Sequence, residues 1–155
     1  MSDHPIRLFD SAAAIRRVGE GLLACTLPKE DWTHEAHLAA CTWLVLERGD
    51  IAPERDLPAI ICRYNEAVGG VNSDTAGYHE TLTQLYVIGV QRFAEGCPAD
   101  ELLGVVNALL ASEMAQRSWP LRFYSPQLLF SVAARRGWAE PDLAPISLGS
   151  PPPQA

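Results

Sequence analysis

Apolar residues recur along this chain at spacings of three and four, the period of helices that bury one face. From about Asp10 to Cys25, the residues Ala14, Ile15, Val18, Leu22 and Cys25 fall on one side, and Asp10 is placed to cap the start. A second helix is predicted from about Trp32 to Arg48, with Gly49 as a left-handed C-terminal cap. A third covers about Pro53 to Val68, with Pro53 in its first turn and Gly69-Gly70 as its stop. Pro58 lies inside that span, so the helix starts later or kinks there. A fourth runs from about Tyr78 to Glu95, and a fifth from about Pro98 to Glu113 or beyond. The segment Ser118 to Tyr124 reads as irregular, and Ser125-Pro126 opens a short sixth helix closed at Gly137.

No run alternates convincingly with period two, so no sheet is expected. The pattern predicts an all-α, single-domain bundle of five or six helices over residues 1–146, followed by a small, polar, proline-rich tail at 147–155 that reads as disordered. A length of 155 residues fits one domain that buries roughly 70% of its extended-chain surface, enough for a core without staples.

Composition narrows the function classes without naming one. Nineteen acidic against twelve basic residues give a net charge of −7, which argues against general nucleic-acid binding. Residues Met1 to Pro5 lack a basic region followed by an apolar run, so no secretory signal is expected. The densest apolar stretch, Ala39 to Leu46, is too short to span a bilayer. The four cysteines, Cys25, Cys41, Cys62 and Cys97, form no C-x-x-C pair and read as reduced core residues. Together these features predict a cytoplasmic protein; they leave its oligomeric state open.

The histidines supply the candidate chemistry. His4 sits near the N-terminus; the other three open two helices, in Trp32-Thr33-His34-Glu35-Ala36-His37-Leu38 and Gly77-Tyr78-His79-Glu80-Thr81-Leu82-Thr83. At about 100° per residue, His34 and His37 fall within about 40° of Cys41, on the stripe of Leu38, Leu44 and Val45. His79 shares a stripe with Leu82, Tyr86, Val90 and Phe93. Two histidines three apart can converge on one ion, and a third nitrogen from His79 would leave a position open for water. On that reading the cofactor is one divalent transition metal (zinc, manganese, iron or nickel), and Glu80 serves as general base or ligand. Glu80 lies about 100° around the helix from His79, so it suits a helix-start cap as well.

The competing reading is structural. A buried histidine can stay neutral and hydrogen-bond a carbonyl, hydroxyl or carboxylate, and the positive end of a helix dipole favours the neutral form. The two readings predict different proteins. One is a metal-dependent or histidine-assisted enzyme on a small polar molecule; the other is a non-catalytic ligand-binding or interaction bundle.

The motif pair resembles an uncharacterised family of small bacterial helical proteins, which carry H-x-x-H-L early and Y-H-E-T-x-T mid-chain. The similarity continues in Tyr124-Ser125-Pro126-Gln127-Leu128-Leu129 and Trp138-Ala139-Glu140-Pro141-Asp142, so it covers roughly residues 30 to 145. It implies a site and no chemistry. Helical metalloenzymes of the DinB type also use three histidines, but they place a second H-x-x-x-H pair late in the chain. No histidine follows His79, so that match fails.

Weaker candidates surround the histidines. The loop Gly69 to Gly77 lacks the ending of a phosphate loop but could cover a pocket, with Asn72 and Asp74 as its ligand contacts. Tyr78, Arg122 and Tyr124 offer polar tips for a pocket mouth, and Arg122 could hold an anion or form a surface ion pair. Cys41, one turn after His37, reads as an inert buried thiol. The aromatic stretch Trp119 to Trp138 is expected to lie across the bundle and complete its core.

Overall fold

The computed structural model describes residues 5–148. His4 and most of the expected tail lie outside them. Seven α-helices and three short 3-10 turns make up the fold, and no strand occurs among the described residues.

Helix α1 (Ala12–Ala24) is capped by Ser11, not Asp10; the Ser11 hydroxyl accepts the Ala14 N–H at 3.1 Å. It ends where Cys25 turns left-handed at φ 58°. A 3-10 turn at Lys29–Asp31 leads into α2 (His34–Glu47), whose Thr33 cap accepts the Ala36 N–H. Helix α2 is buried without a break from Leu38 to Leu44 and packs on α1, α4, α5 and α3 (Pro53–Ala67). It is therefore the axis of the bundle, and it leaves without the left-handed Gly49 that the sequence suggests; Arg48 closes it instead. Trp43 lies so closely on Gly19 of α1 that no β-carbon would fit there.

Helix α3 continues unbroken through Pro58. Proline cannot donate to the Glu54 carbonyl four residues back. The side-chain amide of Gln84, on α4 (Glu80–Gly96), takes that carbonyl at 2.9 Å, so a neighbouring helix supplies the missing donor. Helix α5 is shorter than its apolar run predicts, Leu102–Leu110, and gives way to 3-10 turns at Glu113–Ala115 and Trp119–Arg122.

The expected sixth helix is two helices, α6 (Pro126–Leu129) and α7 (Val132–Arg136). Ser131 divides them by donating its hydroxyl to the Leu128 carbonyl and accepting the Ala134 N–H. Trp119, Phe123 and Tyr124 are buried as the aromatic pattern predicts, whereas Phe130 and Trp138 are exposed. Beyond α7 the chain keeps to the core, with Ile146 and Leu148 packed against it. No helix among the described residues is long and apolar enough to cross a membrane.

Candidate functional site

The two helix openings that carry the histidines do meet. Between α2, α3, α4 and the loop 69–78 lies a cleft of about 780 Å³, bordered by His34, His37 and His79. The wheel stripes left open whether the openings meet; in the structure Leu38 and Cys41 of α2 and Leu82 and Tyr86 of α4 line the same space. A groove of comparable size along α1 is bordered by Arg16, Arg17 and Glu20 and carries no aromatic or histidine side chain.

The three imidazoles do different things. His79 is the N-cap of α4: its Nδ1 accepts the Leu82 N–H at 3.1 Å, and its Nε2–H donates to the Leu129 carbonyl at 2.7 Å. An acceptor Nδ1 carries no proton, so these partners select the Nε2–H tautomer and leave neither nitrogen free. His34 donates Nε2–H to the Ala115 carbonyl at 2.7 Å and sits edge-on to Tyr86. Each of these two rings ties a helix opening to a backbone carbonyl far along the chain.

His37 is the exception. Its Nδ1–H donates to the Thr33 carbonyl in its own helix at 2.7 Å, which turns the Nε2 lone pair outward on a ring that lines the cleft. The ring stacks on Trp32, centroids 3.8 Å apart, and Tyr64 meets Trp32 edge-on. The Tyr64 hydroxyl is tied down to the Leu27 carbonyl, so this aromatic wall is held from behind. His37 is solvent-exposed by area, because the cleft reaches it, yet protein surrounds the cleft. Protein packed around the ring lowers the imidazole to about 4, and the neighbouring Arg117 charge acts in the same direction. Burial likewise lowers His34 and His79. All three are neutral near pH 7.

His34, His37 and His79 border one cleft without forming a compact ligand group. No group of three histidine, cysteine or acidic side chains among the described residues is placed to hold a metal ion, and His79 has no nitrogen to give. Cys41 borders the cleft as a thiol that burial raises to about 12, so it stays protonated.

The other sequence candidates divide the same way. Tyr78 lines the cleft, but its hydroxyl donates to Glu80 at 2.8 Å. Glu80 also accepts from Gln84 and lies off the cleft wall, as its angular offset from His79 suggests. Asn72 is spent on the loop: its Oδ1 accepts from Asn65 and from the Tyr78 N–H, and its Nδ2–H donates to the Cys62 carbonyl. Gly77 makes that turn possible, at φ +80° and with no room for a β-carbon beside Val71 and Asn72. Asp74 pairs with Arg136 on α7, Arg122 pairs with Glu113, and the Tyr124 hydroxyl donates to the Ala139 carbonyl. None of these three borders the cleft. Among the cleft residues that sequence reasoning did not single out are Trp32 as a stacking wall, Lys29 and Arg117. Arg117 lies in the irregular stretch after α5, where no periodicity marks it.

No protein-family model, curated protein or solved structure matches this chain. The reading of the cleft therefore rests on its own chemistry.

Proposed function

We propose that this protein binds a small, flat organic molecule in the cleft between α2, α3 and α4, with His37 as its polar anchor. The observation that carries this reading is the state of His37: neutral, oriented by the Thr33 carbonyl, stacked on Trp32, and with Nε2 free on a cleft wall. A pocket of several hundred Å³ with apolar walls and a few placed polar groups is the usual form of a small-molecule site. Leu57, Ile61, Val68 and Leu82 supply the apolar walls, and Trp32 with Tyr64 supplies a flat one. A neutral imidazole nitrogen accepts a hydrogen bond, so the ligand carries an O–H or N–H on its apolar body.

Calorimetric titration with 2-naphthol and with 2-methoxynaphthalene tests this reading. The naphthol has the donor and the ether lacks it. Saturable one-site binding of naphthol, at least fivefold weaker binding of the ether, and a shift of the His37 Nε2 resonance on titration are expected. Ile61→Trp, which fills the cleft, abolishes binding; Val132→Ser, on an exposed side chain outside the cleft lining, leaves it unchanged. Equal binding to Ile61→Trp, or no saturable binding to the parent, removes the proposal.

A further inference from the structure

The charge lining the cleft runs opposite to the charge of the chain. Acidic residues outnumber basic ones by nineteen to twelve, yet no aspartate or glutamate borders the cleft, and two cations, Lys29 and Arg117, do. Both are exposed, and neither lies within 4 Å of an acidic group among the described residues. Most other arginines are occupied: Arg16, Arg48, Arg55, Arg122 and Arg136 hold carboxylates, and Arg135 holds the Gly77 and Tyr78 carbonyls. Arg117 also borders a neighbouring groove that contains Glu30, Asp31 and Glu35, and it pairs with none of them.

From this charge pattern we infer that the ligand of the cleft is an anion: a flat aromatic or unsaturated acid whose carboxylate sits at the mouth with Arg117 and Lys29. Its apolar body lies on the Trp32–His37 wall. The inference rests on the cleft being a small-molecule site, as proposed above, and adds the charge of what it takes. A guanidinium without a protein partner presents a planar fork of donors that matches a carboxylate. Low-dielectric walls on either side strengthen that attraction relative to open water. A cationic ligand is disfavoured, because nothing in the cleft lining carries negative charge to receive it.

The test is a matched pair that differs only in charge, 6-hydroxy-2-naphthoate and 6-hydroxy-2-naphthamide, titrated by calorimetry beside 2-naphthol. The inference predicts that the acid binds at least tenfold tighter than the amide at low salt. Arg117→Gln, on an exposed side chain, brings the acid to within about threefold of the amide and leaves the amide unaffected. Raising sodium chloride to 0.5 M narrows the gap in the same direction. If 2-naphthol and the amide bind while the acid binds no better than the amide, the anion inference fails and the cleft reading stands. If an advantage for the acid persists unchanged in Arg117→Gln and Lys29→Gln, the charge assignment fails. If none of the three compounds binds, the cleft reading falls and the inference with it.

Discussion

The openings of α2 and α4 look alike in sequence, with histidine-bearing starts that face inward, but they have become different objects. The α4 opening is a clasp. His79 holds the Leu129 carbonyl, and Thr81, fully buried, donates to the Gly137 carbonyl and accepts the Ala139 N–H. Arg135 returns from α7 to the Gly77 and Tyr78 carbonyls, and Asp74 reaches Arg136. These contacts hold residues 126–146 to the bundle. The α2 opening spends His34 in the same way, on Ala115, and keeps His37 available. A polar group that is fully satisfied stabilises; one with a lone pair left over in a cleft can bind. The comparison separates structure from function by counting used hydrogen-bonding capacity, not by residue type.

The largest effect is expected from exchanging the two roles. His79→Ala removes a helix cap and unpairs the buried Leu129 carbonyl, a loss of roughly 2–4 kcal/mol. For a chain of this length that lowers the melting midpoint by roughly 6–12 °C. His37→Ala is expected to change stability by less than about 1 kcal/mol. The Thr33 carbonyl it leaves still accepts the His37 backbone N–H, so nothing is orphaned. Ligand binding should follow the reverse order, lost in His37→Ala and retained in His79→Ala below its melting point. Thermal melts and naphthol titrations of both variants decide this. A large stability loss in His37→Ala would make the two openings equivalent and end the comparison.

Thr81→Val sharpens the clasp side alone. The substitution keeps the shape and deletes a buried hydroxyl that bridges Gly137 and Ala139, so roughly 1–3 kcal/mol is expected to go. Amide hydrogen exchange should show the loss concentrated in residues 126–146, with α1 and α2 protected as before. Uniform loss of protection would mean that the C-terminal segment is not a separable layer.

Much of this was readable in the sequence, for a physical reason. Helical period places Leu38, Cys41, His34 and His37 on one stripe and Leu82 and Tyr86 on another, and those stripes do face one cleft. What period cannot show is which imidazole nitrogens are already taken. The partners of His34 and His79 are backbone carbonyls 81 and 50 residues away, and every residue has a carbonyl. Nor does it show His79 as a cap: Gly77 and Tyr78 lie outside the helix, and the ring bonds the backbone it would otherwise sit beside. Arg117 was hidden for a related reason, because it sits where the chain has no period at all.

A smaller effect concerns pH. His37 is lowered from an ordinary 6.5 to about 4, and His34 and His79 are lowered as well. Below pH 6.5 the unfolded chain takes up protons that the folded chain refuses, so stability is full above about 6.5 and declines toward pH 4. Carboxylates that arginines hold below their ordinary values, Asp50 and Glu47 among them, begin to lose their contribution only below about pH 5, at the acid end of this window. Melting midpoints from pH 7.5 to 4 should therefore fall, with a shallower slope in His79→Gln. The share of His37 is expected to be less than its lowering suggests, since water in the cleft screens it. An unchanged slope in His79→Gln would show that its ring is not held neutral by the clasp.

The smallest effect is expected at Asp74→Asn. Asp74 and Arg136 form an exposed pair that joins the loop 69–78 to α7, and such pairs contribute roughly 0–1 kcal/mol. The same loop is pinned from inside by Asn72, whose three hydrogen bonds reach Asn65, Cys62 and Tyr78 in partly buried surroundings. If the inner bonds set the loop, Asp74→Asn leaves both the melting midpoint and naphthol affinity within error, at any salt concentration. Asn72→Ala then weakens both, because Val71, Ala76 and Gly77 border the cleft from that loop. A drop in affinity on Asp74→Asn alone would show that the clasp reaches across the loop to the binding cleft, and that the two openings work as one site.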